Sequence, residues 1–473
     1  MFKFIKRSGS ARNRLFFLTE SVLIIFSVYL SVVVRFQLEA GQIWQYPSLF
    51  PKAVLVMIVY QLSLYYHDLN FSNISRFRGN LFLRRFRGNM FLKLTQAISV
   101  SSIVLFVVYY LFPALAIGRG ILLIDMALLL VILLALRAMY LKGARAEGFG
   151  ERVVILGTGR LARQIGQTLR RQPEMGYRVV GFLDESPANI GKTVISYEVI
   201  GVCEDLLDVV RKRKVQTIIS ALPEQRGKLP VDALLRCKLL GIKVADGISF
   251  YEQLRGRITL EELKPSWVIF SIEFHPPKPT LFLKRGLDVL FSLVGLIIAA
   301  PVCLVIAVLI KLDSPGPVLY LQERAGEQGM VFRLLKFRSM RRDAESLTGP
   351  IWARRNDDRV TRLGRWLRWM RLDELPQVIN VLRGDMSLVG PRPERPGFVA
   401  GLMKENPYYV LRLSVKPGLT GWAQVKYRYG ATTKEALEKL QYDLYYIKNL
   451  SLVFDLYIIF ETVKTVIKGN GAR

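Results

Sequence analysis

Long apolar runs constrain the fold of this 473-residue chain more than any other feature. An apolar helix of about 20 residues crosses the roughly 30 Å hydrocarbon core of a bilayer. The early part of the chain holds four runs near that length: Leu15–Val34, Val54–Tyr66, Phe91–Phe112 and Ile121–Leu136. The second is the shortest. A composition that is 51% hydrophobic, with a mean hydropathy of +0.27, also indicates a membrane protein.

The positive charges between these runs predict their orientation. Lysines and arginines concentrate after the second and fourth runs: Arg76, Arg78, Arg84, Arg85, Arg87, Lys93, Arg137, Lys142 and Arg145. The other two loops carry few, so the positive-inside rule places both ends of a four-helix transmembrane bundle in the cytoplasm. Glu20 and Asp125 fall within the runs, and we expect their carboxyl groups to face the bundle interior.

A Rossmann-like α/β domain is predicted after the bundle, where strand-like and helical patterns alternate. Strand-like Arg152–Leu156 leads into a turn that contains Gly157 and Gly159, and a helical pattern follows. The turn could seat a phosphate on the helix N-terminus, with Asp184 reaching a ribose. Close packing of strand against helix explains the same glycines equally well, so the sequence leaves ligand binding here open.

The charge balance restricts the partners, and the residue types restrict the metals. A net charge of +29 and a pI near 10.1 indicate a polyanionic partner, either nucleic acid or anionic lipid headgroups. The three cysteines show no metal or disulfide spacing, and the two histidines lie far apart, so a zinc site is not expected. Any metal should be a hard cation on oxygen ligands.

A fifth apolar run, Val289–Ile310, is long enough to span a membrane, but its surroundings argue against crossing. The sequence after it is basic: Arg324, Arg333, Lys336, Arg338, Arg341, Arg342, Arg354, Arg355 and Arg359. Crossing would place this basic segment outside the cell. Pro301 interrupts helical hydrogen bonding in the middle of the run. We therefore predict a kinked, re-entrant helix over residues 281–313 with both ends cytoplasmic; a fifth spanning helix is the alternative.

The stretch Leu372–Arg395 carries the strongest chemical signal. Asp373 and Glu374 precede a short apolar run, which places them at a helix N-terminus, where the macrodipole keeps an aspartate ionised. Arg392 lies between two prolines on a stiff loop, and a fixed guanidinium near carboxylates suits a phosphate-bearing substrate. An N-cap role alone would explain Asp373 in isolation. Just before it, Trp366 and Trp369 alternate with arginines, which is typical of a helix in the headgroup layer.

Four motifs together resemble the bacterial sugar transferases of the monotopic phosphoglycosyl transferase family. These motifs are KFRSM, DELPQ, GDMSLVGPRPE and KPGLTGWAQ, and the resemblance covers about Lys284–Lys468. With membrane helices and a Rossmann-like insert in front, the chain resembles the long form. The family's members transfer hexose 1-phosphate to polyprenyl phosphate and initiate exopolysaccharide or O-antigen assembly.

The resemblance implies a role for each matching residue. Asp373 matches the nucleophile, which forms a covalent aspartyl-phosphosugar, and Glu374 matches a ligand of Mg²⁺. Basic positions of the motifs imply phosphate contacts, and these are Lys336, Arg338, Arg368 and Arg392. Pro301 matches the break in the membrane helix. Arg371 departs from the small polar residue of many members, which leaves the surroundings of Asp373 less defined.

The combined prediction is a membrane protein with five segments. These are four transmembrane helices (1–145), a Rossmann-like domain (146–255), a linker (256–280), a re-entrant helix (281–313) and a mixed α/β catalytic domain (314–473) with amphipathic interfacial helices. The expected partners are a UDP-sugar, polyprenyl (undecaprenyl) phosphate and membrane lipids, with no nucleic acid and with a homodimer as one option. The expected location is the bacterial inner membrane, with the catalytic domain facing the cytoplasm.

Two other function classes compete with this prediction. A membrane-bound, NAD-dependent nucleotide-sugar dehydratase or epimerase would use the glycine turn, but the chain has no Tyr-x-x-x-Lys pair. A non-catalytic scaffold for polysaccharide assembly would use the basic surface, but it would not explain why the four motifs occur together.

Overall fold

The structure of the protein is a computed structural model. It describes residues 11–36, 48–67, 69, 82–143, 150–172, 175–222, 229–260, 277–341, 359–427 and 432–467. The chain divides into two compact units, Phe2–Tyr251 and Glu252–Arg473. Across the described residues, five helices are long and apolar enough to cross a membrane.

Four of these helices are in the first unit and correspond to the four early apolar runs: α1 (Ala11–Phe36), α2 (Leu49–Tyr66), α3 (Phe82–Leu111) and α4 (Arg119–Gly143). They pack around a shared core in which Ile24, Tyr60 and Leu129 are fully buried. Helix α2 begins ahead of the predicted Val54 because Pro51 falls in its first turn, where a proline is tolerated.

Two carboxylates lie inside this core, as the sequence predicts. Glu20 pairs with Arg137 over 2.8 Å, and Asp125 accepts a hydrogen bond of 2.6 Å from Ser27. The prediction that counts Arg137 among the cytoplasmic loop charges is wrong, because this arginine lies in α4 and is fully buried. Its ion pair with Glu20 explains why a charged side chain is tolerated there.

The rest of the first unit is an α/β domain. Its strands are β1 (Glu151–Leu156), β2 (Tyr177–Asp184), β3 (Thr193–Val194), β4 (Tyr197–Val202), β5 (Thr217–Ser220) and β6 (Lys243–Asp246). Its helices are α5 (Arg160–Arg171), α6 (Leu206–Arg213), α7 (Val231–Leu239) and α8 (Gly247–Arg255), the last of which runs into the second unit. The strand order is β3-β4-β2-β1-β5-β6, and every pairing is parallel apart from β3 with β4. A parallel sheet is buried on both faces, which explains the unbroken apolar run of β1.

The second unit contains the fifth apolar helix, α9 (Lys278–Asp313), which is continuous across Pro301. Helix α9 is followed by β7 (Leu319–Ala325), β8 (Val331–Phe337), α10 (Arg362–Trp369), α11 (Gln377–Arg383), β9 (Ser387–Val389), α12 (Pro396–Glu405), β10 (Gly418–Thr420), α13 (Trp422–Lys426), α14 (Thr433–Lys448) and α15 (Leu452–Ile467). Strands β7 and β8 form an antiparallel hairpin, and β9 and β10 form a parallel pair. Helix α14 begins with a capping box that Thr432 and Glu435 form.

The N-terminal part of α9 is bound to this unit by buried polar contacts. Lys284 donates to Asp455 over 2.7 Å and to the carbonyl of Val389 over 2.9 Å. Asp288 accepts from the backbone N–H of Leu388 over 3.0 Å. These contacts fix the membrane helix against β9 and α15.

The C-terminal part of α9 is bound to the same unit by apolar contacts. Ile306 and Ile310 are buried in a cluster with Phe337 and Leu367. Between the two attached ends the helix is mostly exposed, and Ile298 reaches 70% exposure. The exposed middle is apolar, as expected of a segment surrounded by lipid.

Candidate active site

Asp373 lies in a single 3₁₀ turn, Leu372–Glu374, between α10 and α11. The preceding residue, Arg371, has a positive φ of 56°, a left-handed conformation that turns the chain sharply after α10. Pro376 then starts α11, since a proline is tolerated at a helix start. This turn buries the Asp373 side chain, leaving the residue 9% exposed.

Glu374 is paired with Arg392 on the loop between β9 and α12. Arg392 donates from Nη2 to Oε1 of Glu374 over 2.7 Å, and both side chains are mostly buried. The structure therefore places the loop arginine next to the carboxylate pair, as the sequence predicts. Charge-assisted hydrogen bonds of this kind are short and fix both partners.

Two more cations face the carboxylate pair. Lys336 lies near the end of β8, and Arg368 lies in the last turn of α10. The positive charges of both side chains lower the pKa of Asp373. Arg368 is oriented by Ser339, whose Oγ accepts from its Nε over 2.9 Å. Three of the four predicted phosphate contacts thus lie around Asp373 and Glu374.

The fourth predicted phosphate contact, Arg338, is used elsewhere. Its guanidinium donates to the carbonyls of Pro315 and Ser314 over 2.8 Å and 2.6 Å, and to Ile310 over 3.3 Å. It therefore caps the C-terminal end of α9. Alternation along one strand would place Lys336 and Arg338 on one face, but β8 ends at Phe337, so Arg338 leaves that face.

The two adjacent carboxyl groups have different pKa values. Burial, followed by the charge of Glu374, raises the pKa of Asp373 to about 6 against the opposing effect of Lys336 and Arg368. Burial would raise the pKa of Glu374 too, but Arg392 and Lys336 hold it well below its usual range. The sequence predicts that the helix N-terminus keeps Asp373 ionised. That prediction did not include burial, which has the largest effect on the pKa of Asp373.

Lys336 has an unusual pKa as well. Burial and the nearby charge of Arg392 lower the pKa of Lys336 to about 8, although Glu374 and Asp373 oppose the effect. Perturbed titrating groups that face one another in this way are frequent in active sites.

Three glycines allow the Arg392 loop to pack closely on β10. A Cβ on Gly418 would lie 2.0 Å from the backbone nitrogen of Gly390, and one on Gly421 would lie 2.2 Å from the Gly390 carbonyl oxygen. A Cβ on Gly390 itself would lie 2.4 Å from the Lys416 carbonyl oxygen. The GPRPE and KPGLTGW motifs therefore pack directly against each other.

The sequence reasoning missed a buried group behind this loop. Arg412 donates from Nη2 to the carbonyl oxygen of Arg392 over 2.6 Å, and from Nε to Asp443 over 2.7 Å. Asp443 lies on α14 and Arg412 on a 3₁₀ segment, Pro407–Ser414. The residues are far apart in the chain and carry no motif, so only the fold brings them together.

The donor atoms at this site suit a hard divalent cation. Magnesium is commonly held by one or two carboxylates, with water and substrate phosphates completing its coordination. Asp373 and Glu374 provide such a pair of oxygen donors. Within the described ranges, no group of three or more His, Cys, Asp or Glu side chains could enclose a metal. The residues therefore fit a cation that shares its ligands with a phosphate substrate.

The glycine turn of the α/β domain has partners of its own. Gly157 has a φ of +94°, and a Cβ there would lie 3.1 Å from the Ala221 carbonyl oxygen, so close packing requires this glycine. Gly159 precedes α5 and has open space around it. Asp184 accepts from Thr158 over 3.0 Å, from the Glu185 N–H over 2.7 Å and from Asn189. Packing therefore accounts for Gly157, and hydrogen bonds within the domain account for Asp184.

Two family models match the chain. The bacterial sugar transferase model matches residues 279–469, which include every residue of the carboxylate site. A model described as a CoA-binding domain matches residues 81–242, which include α3, α4 and most of the α/β domain.

Several curated proteins are similar to this chain. A UDP-N-acetylgalactosamine-undecaprenyl-phosphate N-acetylgalactosaminephosphotransferase of Aeromonas hydrophila is 44% identical over 51% of this chain and 56% of its own length. An undecaprenyl-phosphate glucose phosphotransferase of Komagataeibacter xylinus is 35% identical over 68% of this chain and 60% of its own length. The UDP-glucose:undecaprenyl-phosphate glucose-1-phosphate transferase of Escherichia coli (strain K12) is 35% identical over 67% of this chain and 68% of its own length.

The extent of these matches differs between relatives. The chain spans less than two thirds of the length of the Aeromonas and Komagataeibacter proteins. Among solved structures, a Rex-family repressor matches with 17% identity and a TM-score of 0.19 over 25% of this chain and 60% of that chain, which is too low to establish a shared fold.

Proposed function

This chain belongs to the bacterial sugar transferase family, and we propose that it transfers a sugar 1-phosphate from a UDP-sugar to undecaprenyl phosphate and releases UMP. The relatives' names point to glucose or N-acetylgalactosamine as the sugar. The product would be the lipid-linked first sugar of an exopolysaccharide or O-antigen.

The observation that carries this proposal is the buried carboxyl group of Asp373 among three cations. A phosphoryl transfer between two anionic substrates requires neutralisation of phosphate charge. Lys336, Arg368 and Arg392 supply that charge, since all three lie close enough to lower the pKa of Asp373. A carboxylate in such a setting is a suitable nucleophile, because it attacks phosphorus without first losing a proton to a separate base.

The reaction would proceed by two displacements at one phosphorus atom. A carboxylate oxygen of Asp373 attacks the β-phosphorus of the UDP-sugar, the bond to the bridging oxygen breaks, and UMP leaves with that electron pair. A phosphate oxygen of undecaprenyl phosphate then attacks the acyl-phosphosugar, and the Asp373 carboxylate leaves. Each step breaks one P–O bond and forms another, so the enzyme is regenerated.

Glu374, with Asp373 beside it, is the proposed Mg²⁺ ligand. When bound, the ion would neutralise charge on the diphosphate of the donor. Arg392 would hold Glu374 in place through the 2.7 Å contact between them.

A re-entrant course of α9 would bring the site to the membrane surface. A straight helix from Lys284 to Ile310 would be about 39 Å long at ~1.5 Å per residue. Both ends are nevertheless buried in the same unit, while the apolar middle around Pro301 is exposed. These contacts support a helix that enters and leaves the bilayer on one side.

Helix α10 would lie in the headgroup layer beside the site. Trp366 and Trp369 are 46% and 61% exposed, whereas Leu367 between them is fully buried. Exposed indoles beside arginines suit an interfacial position. A water-soluble donor and a lipid acceptor could then meet at Asp373.

The first four apolar helices would form a transmembrane bundle in the bacterial inner membrane. The charge pattern of the loops would place the ends of the bundle and the catalytic domain in the cytoplasm. A homodimer and contacts with membrane lipids complete the proposed assembly.

Release of UMP tests the proposed activity. Purified full-length protein in lipid nanodiscs is incubated with Mg²⁺, undecaprenyl phosphate and either UDP-glucose or UDP-N-acetylgalactosamine. Transfer yields UMP and lipid-linked sugar in equal amounts, and Asp373→Asn yields neither. Release of UDP, or equal turnover by Asp373→Asn, would contradict the proposal.

The covalent intermediate needs a separate test. Enzyme and UDP-sugar without lipid acceptor are quenched rapidly, digested and analysed by mass spectrometry. The expected result is a phosphosugar adduct on the peptide that contains Asp373, formed with a stoichiometric burst of UMP. An unmodified peptide, despite turnover when lipid is present, would rule out the two-step scheme.

A further inference from the structure

A buried guanidinium, that of Arg412, lies behind the loop that carries Arg392. Arg412 donates from Nε to Asp443 over 2.7 Å, from Nη1 to the Tyr409 hydroxyl over 2.7 Å, and from Nη2 to the Arg392 carbonyl oxygen over 2.6 Å. All three nitrogens thus have a protein partner. The side chains of Arg412 and Asp443 are only 7% and 2% exposed.

The Arg392 loop is attached along its length. The N–H of Gly418 donates to the Pro391 carbonyl over 2.9 Å, Arg324 donates to Pro393 over 2.9 Å, and the N–H of Ala325 donates to Glu394 over 2.9 Å. The carbonyl of Arg392 itself is held by Arg412. Of these hydrogen bonds, the one from Arg412 holds the backbone of Arg392, and the side chain of Arg392 contacts Glu374 in the site.

The prolines on both sides of Arg392 make this attachment effective. Proline restricts φ and the conformation of the residue before it, so the backbone of Arg392 has little freedom once its carbonyl is fixed. The Arg392 side chain then projects from a fixed Cα toward Oε1 of Glu374, 2.7 Å from Nη2.

We propose that Arg412, held by Asp443 and Tyr409, is a positioning residue that fixes the Arg392 guanidinium against Glu374 and the donor phosphates. The inference rests on the proposed function, because it assigns Arg392 a role in phosphoryl transfer. Asp443 is the counter-charge of Arg412, and Tyr409 sets the rotation of the guanidinium plane. The role assigned to all three is indirect and acts through Arg392.

A positioning role differs from a purely structural one in its kinetic effect. Displacement of a charged group by about 1 Å can reduce a rate by roughly 100-fold, because charge stabilisation depends on placement. Loss of a structural ion pair instead lowers the amount of folded enzyme and leaves the kcat of each folded molecule unchanged.

The test compares Asp443→Asn and Tyr409→Phe with a matched control, Glu252→Gln. Glu252 forms an ion pair of 2.9 Å with Lys448, with exposures of 4% and 9%, and Lys448 lies on α14 like Asp443. The control therefore removes a similarly buried carboxylate whose ion-pair partner, Lys448, is not part of the Arg392 loop. Steady-state UMP release is measured for full-length variants in nanodiscs and normalised to folded protein.

The expected result is a kcat reduced about 10- to 100-fold by Asp443→Asn and about 3-fold or more by Tyr409→Phe, with KM for the UDP-sugar nearly unchanged. Glu252→Gln should keep the wild-type kcat. Wild-type kcat in Tyr409→Phe or Asp443→Asn, or an equal loss in Glu252→Gln, would overturn the inference. If Asp443→Asn does not fold, the kcat of Tyr409→Phe alone tests the positioning role of Arg412. Wild-type enzyme that releases no UMP would instead defeat the proposed function.

Discussion

Asp373 and Glu374 are adjacent in the chain, yet their carboxyl pKa values are displaced in opposite directions. Asp373 is buried without a direct ion pair in the described contacts, and its pKa is raised to about 6. Glu374 accepts from Arg392 over 2.7 Å, and its pKa is lowered. The pair therefore takes up its first proton on Asp373, the proposed nucleophile.

The acid side of the pH profile should report Asp373. Only the ionised carboxylate attacks phosphorus, so kcat for UMP release should fall as the pH drops below about 6. Stopped-flow measurement of the UMP burst between about pH 5 and about pH 8 checks this. Arg368→Gln should shift the acid limb to higher pH, because Arg368 lowers the pKa of Asp373. An acid limb near the ordinary aspartate pKa would contradict the assignment.

The alkaline side should report Lys336. Burial lowers the pKa of Lys336 to about 8, so its positive charge is lost as the pH rises through that value. We expect kcat to fall above about pH 8 in the wild type. Lys336→Arg stays protonated in this range, so it should lower kcat but remove the alkaline limb. An alkaline limb that persists in Lys336→Arg would assign the titration to another group.

Asp373→Asn should abolish transfer and stabilise the fold at neutral pH. The pKa of Asp373 is raised in the folded state, so its ionised form disfavours folding, and the penalty is present in full above the folded pKa of about 6. Removing the charge should add on the order of 2 kcal/mol at about pH 7.5, and this gain should disappear at about pH 3, below the pKa of Asp373 in both states. Thermal unfolding in nanodiscs at both pH values measures it. A variant less stable than wild type at pH 7.5 would contradict this expectation.

The ion pair of Lys284 and Asp455 should be essential for attachment of α9. Both side chains are about nine-tenths buried, and their atoms are 2.7 Å apart. Removing one partner, as in Asp455→Asn, leaves a buried charge unpaired and should destabilise the protein by about 3 kcal/mol or more. Lys243→Gln is the control, because Lys243 is 71% exposed in its pair with Glu151 and should contribute about 0–1 kcal/mol. Equal effects of the two changes would argue against a buried attachment.

Gly418→Ala should be strongly destabilising, whereas Gly397→Ala should not. A Cβ at position 418 would lie 2.0 Å from the Gly390 nitrogen, so β9 and β10 would have to separate. Gly397 lies in α12 with nothing within 4 Å of its added Cβ, and alanine there should stabilise the helix by about 0.5–1 kcal/mol. Thermal unfolding and UMP release of the two variants, compared with wild type, check the contrast. Similar stability of both would mean that the Arg392 loop is not closely packed.

Much of the fold could be predicted from local patterns. Apolar length predicts the five membrane-type helices, and alternation predicts the strand–helix order that gives the parallel sheet. The family membership could be predicted as well, because four separate motifs in one order rarely coincide by chance. The turn that holds Asp373 and Glu374 follows from the proline and the apolar run after it.

The features that the sequence did not predict depend on distant contacts. Arg338 looks like Lys336 in the sequence, and only the end of β8 and the arrival of α9 decide that it binds carbonyl groups. Arg137 resembles a loop charge in the sequence, and only the packing of α1 on α4 pairs it with Glu20. The burial that raises the pKa of Asp373 likewise comes from packing and not from its helix position.

The attachment of α9 has a consequence for any attempt to make a soluble enzyme. Truncation before Ser314 would remove the Ile310 carbonyl that accepts from Arg338 and the Lys284 ammonium that pairs with Asp455. Asp455 would then be a buried carboxylate without its cation, whereas Arg338 would keep its carbonyl partners at Ser314 and Pro315. Helix α9 therefore also stabilises the catalytic domain, and a water-soluble derivative would need a replacement for Asp455 as well as a new surface.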